Sequence, residues 1–573
     1  MLRHSLEVLA RRDPELVERI GWPVDGNHII VEDSGEVQYR LHGSRFRLSL
    51  APESVDQSLT RAPPAGEIFV FGIGLGEQVD ALLTVRPDVV VTAWERDPWL
   101  LRLALGRNDW SAALATGRLN LMLGSDLVAA AASGRIGAER GRNLIVHPFL
   151  GTVYQNEHHL LAPGAVSDQR PLVALCAGAL YTDDLATALR DEGFSVYTLD
   201  IHRLAQEELA RAVTTLRPAF IAAINYTEGL VEFAAAQGCP LAVWEIDPAT
   251  SALPPCRGPT EGARIFTYRR ANVDEYRAAG FAHVSYLPLG TDPRRRARVT
   301  LSPEDRRHYG APVAFVGSSL MPEAEGFRQA FVAGYTAAVA DLRPRAAPGA
   351  DDAASVMNDV LAAQRQDFSR YLVPAALAAR SPDLQRAPPE VAAHLARLLG
   401  EIAAAEKRQA YVVRLARLGI EVWGDQGWSS VGSSGSAAGS GESPSTVRYR
   451  GAAGHLVELT KIYNASLINL DIGRLYQDDI VTMRVFDVLA CGGFVLAERS
   501  DALAELFEIG VEVECYRDAD QLTAKAAHYL AHPAEARQIA ARGQQAVWAR
   551  HTVAMRLHQI LAGLGFQRSE VRR

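Results

Sequence analysis

One pattern recurs three times along this chain: a short apolar run enters a glycine and is followed at once by a helix-forming segment. The three copies are IFVFGIGLGEQVDALL, LVALCAGALYTDDLATAL and VAFVGSSLMPEAEGF, with glycines at Gly72, Gly178 and Gly317. Glycine lets the backbone turn tightly above a sheet and opens a helix N-terminus toward a ligand, so each copy reads as the first β-loop-α unit of a Rossmann-like domain. Three such α/β domains in tandem account for most of a 573-residue chain, which at about 150 residues per domain holds three to four.

Turn-rich joins place the boundaries. A small β-rich unit (1–60), whose alternation over residues 28–50 pivots on Asp33-Ser34-Gly35, precedes a first Rossmann-like domain (61–165). Two further domains follow at 170–305 and 306–565. Within the last, residues 323–418 are rich in Ala, Leu, Arg and Glu at helical spacing and read as a helical insertion. The Gly/Ser-rich stretch 428–446 has little to bury and reads as a mobile loop.

Composition removes several function classes. A net charge of −8 argues against broad electrostatic binding to nucleic acid. Five scattered cysteines without a C-x-x-C pair fit a reducing compartment and exclude a zinc ribbon. No segment reaches the ~18 apolar residues of a membrane span, and the N-terminus lacks a signal-peptide core, so a cytoplasmic protein is expected. Lysine occurs only at positions 407, 461 and 525, never after glycine, which excludes a P-loop. The D-x-D triplet Asp518-Ala-Asp520 stands between a strand and a helix and reads as an N-cap rather than a cation site. No metal is expected.

The segment Tyr463-Asn-Ala-Ser-Leu-Ile-Asn-Leu-Asp-Ile472 and the following Met483-Arg-Val-Phe-Asp-Val-Leu-Ala-Cys-Gly-Gly-Phe-Val-Leu-Ala497 carry most information. They read as strand, loop, helix, glycine stop and strand. Arg484 and Asp487 stand at i and i+3 on the helix, and Gly492-Gly493 ends it. Taken alone, the charged pair reads as an exposed ion pair.

This segment is similar to the C-terminal signature of the CgeB-like, spore-maturation type glycosyltransferases of GT-B architecture, R-V-F-E-x-L-A-C-G-G, with Asp487 at the acidic position. Phe315-Val-Gly-Ser318, Val422-Trp-Gly-Asp425 with Trp428, Trp244-Glu-Ile-Asp-Pro248 and Tyr286-Leu-Pro-Leu-Gly-Thr-Asp292 extend the resemblance over roughly 171–565. It implies a bilobal enzyme whose C-terminal lobe holds a nucleotide-diphosphate sugar. Asp487 would accept from the ribose, Arg484 would meet phosphate, and Gly317, Ser318, Ser319, Gly424, Trp428, Gly492 and Gly493 would line the donor site. Asp247, ending a buried strand of the N-terminal lobe, becomes the candidate to activate an acceptor hydroxyl on a protein or polysaccharide. Its plainer reading is a turn-initiating Asp before proline.

The first α/β domain carries Gly72-Ile-Gly74-Leu-Gly76, with Glu95 nineteen positions after Gly76. That spacing suits a second nucleotide site, as in S-adenosylmethionine-dependent methyltransferases. Residues 22–165 also resemble the N-terminal part of motility-accessory-factor proteins, which act in flagellin glycosylation. A non-catalytic Rossmann module is the favoured reading. The alternatives to a glycosyltransferase are a methyltransferase using this domain, or a recognition scaffold without catalysis.

Overall fold

The structure, a computed structural model, describes all residues except 42–43, 62–65, 134–142, 168–169, 248–252, 254–255, 343–349, 434–446, 456, 478 and 567–573. Most of the Gly/Ser-rich stretch therefore lies outside the described residues, while Trp428–Ser433, expected to belong to that loop, forms a short helix.

Four sheets follow one another along the chain. Strands β1 (Ile29–Val31), β2 (Val37–Leu41) and β3 (Ser44–Arg47) make an antiparallel meander. Its first turn is the expected one, with Gly35 at φ +82°, a conformation that favours glycine. Two helices, Leu2–Ala10 and Pro14–Gly21, precede the meander. Their Leu9, Leu16 and Ile20 pack with Ile68 and Val70 of the next domain, so the first twenty residues extend that domain's core rather than the β unit.

The first parallel sheet joins β4 (Gly66–Phe71), β5 (Val89–Glu95), β6 (Leu119–Leu123) and β7 (Leu144–Val146) in the order β6-β5-β4-β7. The second comprises β8 (Leu172–Cys176), β9 (Ser195–Leu199), β10 (Phe220–Ile224), β11 (Leu241–Glu245), β12 (Ala263–Thr267) and β13 (Val284–Tyr286), ordered β13-β12-β11-β10-β8-β9. The third comprises β14 (Val313–Val316), β15 (Ile420–Trp423), β16 (Arg448–Tyr449), β17 (Ile468–Leu470), β18 (Val495–Glu498) and β19 (Glu514–Tyr516), ordered β16-β15-β14-β17-β18-β19. All pairings in the three sheets are parallel, so the chain is a tandem of three Rossmann-like domains. Strands covered on both faces read as near-continuous apolar runs, and β8, β9 and β11 are buried at every position, with Ser195, Thr198 and Glu245 the polar exceptions.

Between β14 and β15 the chain is helical: Met321–Leu342, Ala350–Arg365, Val373–Arg380 and Pro389–Arg414 share an apolar core through Phe331, Val360, Leu377 and Leu399. The last two lobes are joined by more than their linker. The helix Val553–Gly563 returns to the N-terminal lobe, where His558 pairs with Glu192 at 2.8 Å and Gly563 O accepts from Arg264 at 3.0 Å. Trp244 and Leu287 of one lobe share an apolar cluster with Phe486 and Leu489 of the other.

Candidate functional site

In the third sheet the chain leaves β14 in both directions, toward β15 on one side and β17 on the other. Such a switch point opens a crevice at the carboxyl ends of the strands, where ligands of open α/β sheets bind. Arg484 spans it. Its Nε donates to Val316 O, the last residue of β14, at 2.8 Å, and its guanidinium pairs with Asp471, just past β17. The guanidinium also lies 4.9 Å from the centre of the Phe315 ring, a cation–π contact. Asp471 accepts a second bond from Thr482 Oγ1 at 2.7 Å. Gly317 makes room for this: a Cβ there would stand 2.7 Å from Arg484 Nη2.

Ser318 and Ser319 face a neighbouring acid. Asp425, following β15, accepts from Ser318 Oγ at 2.7 Å and from Ser319 N and Oγ at 2.6 Å each. Burial works to raise the Asp425 carboxyl, but these bonds outweigh it and hold the group below its usual range. Gly424 allows the ends of β14 and β15 to touch, because a Cβ would collide with Gly317 O.

Several sequence expectations need correction. Trp428 is fully buried among Phe315, Val422 and Leu470, its indole donating to Gly317 O at 2.8 Å, so it braces the glycine loop from below and presents no face to a ligand. Gly492, at φ +71°, ends the helix Met483–Ala490 at the amino ends of the strands, and Gly493 packs on Tyr463 O. Both stand at the opposite edge from the crevice. Asp487 is 4% exposed, and its oxygens are taken by Thr291 Oγ1 at 2.7 Å and Arg296 Nε at 2.9 Å. Both partners belong to the segment between β13 and β14, so the carboxylate fastens the interlobe linker, and as it stands no ribose hydroxyl reaches it. Nor do Arg484 and Asp487 pair with each other: one points to the strand ends, the other to the linker.

On the N-terminal lobe, Asn225 follows β10 at φ +64°, a left-handed conformation uncommon for a residue with a side chain. Its Oδ1 accepts from Ile246 N at 2.8 Å and Asp247 N at 3.1 Å, and its Nδ2 lies 3.4 Å from Asp247 Oδ2. The amide thus shapes the turn after β11, and the Asp247 carboxylate it orients is exposed to solvent. Glu245, two residues earlier, points into the lobe: burial raises its carboxyl, against bonds from Thr267, Asn272 and Tyr276. The lobes meet beside the crevice, where Arg269 Nε donates to Asp479 Oδ1 at 2.9 Å and Ala271 N to Asp479 Oδ2 at 3.2 Å. Asp479 lies on the same loop, between β17 and the following helix, that carries Asp471.

The glycine loop of the first domain is filled by its own chain. A Cβ at Gly74 would stand 2.7 Å from His147 Nε2, and one at Gly76 would stand 2.7 Å from the Trp110 ring. Glu95 is completely buried and accepts from Ile73 N (2.9 Å), Gly74 N (3.1 Å), Arg96 N (2.9 Å), Asp97 N (3.1 Å) and Tyr154 OH (2.5 Å). Burial pushes its carboxyl up to about 7, against the Tyr154 bond. An acid so fully bonded to its own loop leaves nothing for a ribose, which corrects the reading of Gly72, Gly74, Gly76 and Glu95 as a second nucleotide site. Elsewhere, Asp518 caps its helix by accepting from Gln521 N at 2.8 Å.

With this geometry in place, comparison with known proteins becomes informative. Residues 402–562 match the family model described as glycosyl transferase-like. The matched region contains Arg408, Asp425, Asp471, Arg484 and five of the six strands of the third sheet, so most of the crevice falls inside a glycosyl transferase-like domain, while β14 and Gly317, Ser318 and Ser319 precede it. None of the curated proteins matches the sequence. Among solved structures, Anabaena HepE in complex with UDP and glucose is 11% identical with a TM-score of 0.33, over 87% of this chain and 99% of that one. Sucrose-phosphate synthase from Thermosynechococcus elongatus is 13% identical with a TM-score of 0.39, over 69% and 99%. The MAf glycosyltransferase from Magnetospirillum magneticum AMB-1 is 13% identical with a TM-score of 0.19, over 70% and 91%. These scores are too low to establish a shared fold or chemistry. Among the described residues, no helix is long and apolar enough to cross a membrane.

Proposed function

We propose that this protein is a GT-B glycosyltransferase that moves a sugar from a nucleotide-diphosphate donor to a protein or polysaccharide acceptor, without a metal and in the cytoplasm. The observation that carries the reading is the position of Arg484: a fixed guanidinium at the switch point of a sheet inside the glycosyl transferase-like domain. A nucleotide-sugar enzyme must neutralise a diphosphate leaving group, and an arginine held at a strand-end crevice does this by charge-assisted hydrogen bonding. The resemblance to CgeB-like enzymes, and of the N-terminal part to motility-accessory-factor proteins, supports an acceptor of the protein class.

On the N-terminal lobe, Asp247 is the candidate base. In an inverting reaction it would take the acceptor hydroxyl proton as that oxygen bonds to the sugar's anomeric carbon and the bond to the diphosphate breaks. The first Rossmann-like domain, with its loop filled by His147 and Trp110, then serves as a rigid platform rather than a second catalytic centre. The test is turnover of UDP-, GDP- and dTDP-sugars by the purified chain. Arg484→Ala should lower it about ten- to hundredfold, the range for one charged hydrogen bond. Full activity in that variant refutes the donor assignment.

A further inference from the structure

The donor-side crevice holds a buried cation without an ion-pair partner. Arg408 lies on the insertion helix Pro389–Arg414 and is 9% exposed. Its Nη1 donates to Ser318 O at 2.7 Å, while its buried Nε has no partner. The charges acting on it are the cations Arg484 and Arg474 and the acids Asp471 and Glu401. Both acids are already engaged: Asp471 by Arg484 and Thr482, and Glu401 by Arg474 at 3.0 Å and Tyr476 at 2.5 Å. The neighbouring Lys407 is paired with Glu498 at 2.5 Å. No carboxylate among the described residues lies within ion-pair distance of Arg408.

A buried charge without a partner is costly, and the fold retains one only where something offsets it. We infer that Arg408 is a second diphosphate-binding arginine, supplied by the helical insertion, which meets with Arg484 on an anion lying beside Ser318. This inference rests on the donor-site reading above and adds a residue from outside the strand-end motifs. The other flank of the Ser318 loop cannot serve, because Asp425 already occupies the Ser319 amide and hydroxyl and would repel phosphate. Burial and then the like charges of Arg484 and Arg474 push the Arg408 guanidinium down to about 9. An arriving diphosphate reverses that balance.

The experiment is titration of the full-length protein with UDP, GDP, dTDP and inorganic pyrophosphate by calorimetry, together with thermal melts. Arg408→Gln should weaken pyrophosphate and the preferred nucleoside diphosphate at least about tenfold. Its ligand-free melting temperature should be equal to or above that of the parent, because an uncompensated charge has been removed. Arg408→Lys, which keeps the charge and guards against misfolding of the glutamine variant, should bind with an intermediate loss. Binding within twofold of the parent by either folded variant overturns the inference while leaving the glycosyltransferase reading intact. If the unaltered protein binds none of the four ligands, both fail.

Discussion

Arg296 Nε donates to Asp487 Oδ2 at 2.9 Å, and that bond fixes the segment joining the two lobes to the helix that carries Arg484. Thr291 adds a second contact on the other oxygen of the same carboxylate, at 2.7 Å. The acid in the most recognisable motif of the chain thus fastens the interlobe linker, one turn of helix away from the arginine at the crevice.

Removing one partner of such a buried pair leaves the other charge stranded, so Asp487→Asn and Arg296→Met should each cost about 3–5 kcal/mol. The double variant should lose less than the sum, and urea unfolding in a double-mutant cycle reads the coupling. Folded Asp487→Asn should keep its nucleoside diphosphate affinity within about threefold. A large loss of affinity at unchanged stability would restore Asp487 as a ribose contact.

Gly317→Ala tests the crevice without deleting a charge. The new Cβ would stand 2.7 Å from Arg484 Nη2 and push the guanidinium off Val316 O and Asp471. Donor affinity should fall nearly as far as in Arg484→Ala, and the melting temperature should also fall, because the buried Asp471 carboxylate loses its ion-pair partner. Unchanged affinity would mean that Arg484 is not held where the donor needs it.

His147 gives the first α/β domain an acid-sensitive step. Burial pushes its imidazole down to about 4 from the usual 6.5. The unfolded chain therefore binds the proton more readily, and the contribution is complete above pH 6.5 and lost as pH falls through about 4. The stability difference between the parent and His147→Gln should grow with pH over that window, by about 3 kcal/mol in all at 1.36 kcal/mol per unit. Glu95, raised to about 7, works in the opposite sense between pH 4.5 and 7, but it is common to both proteins and cancels in the difference. A flat difference would show that His147 is not buried neutral.

The same domain should give no saturable heat with S-adenosylmethionine, because His147 and Trp110 occupy the space under Gly74 and Gly76 and Glu95 is bonded to its own loop. Clear binding that disappears in Glu95→Ala would instead make this domain a cofactor site.

The three Rossmann-like sheets were legible because each begins with an unmistakable apolar strand entering glycine, and period and punctuation fix such elements locally. Side-chain direction was not. Arg484 and Asp487 are three residues apart on one helix, yet one reaches the strand ends and the other the linker, and only the packing of that helix decides which. Trp428 and Gly493 look like site residues for a similar reason: a motif includes the brace beneath a loop and the stop behind a helix along with the groups that touch ligand. Glu95 sits where a ribose acid belongs, but its own glycine loop donates to it through Ile73 and Gly74, and its partner Tyr154 arrives from 59 residues away. Arg408 gave no signal at all, since it lies on an alanine-rich amphipathic helix, and its missing counter-charge shows only when Asp471 and Glu401 are seen to be spoken for.

The central claim is that a nucleoside diphosphate binds at the switch point of the third sheet against Arg484. It is tested most directly by the dissociation constants of UDP, GDP and dTDP for the full-length protein and for Arg484→Ala. The account predicts saturable binding of at least one of them, weakened about ten- to hundredfold by the substitution. Equal affinity in the two proteins would contradict it.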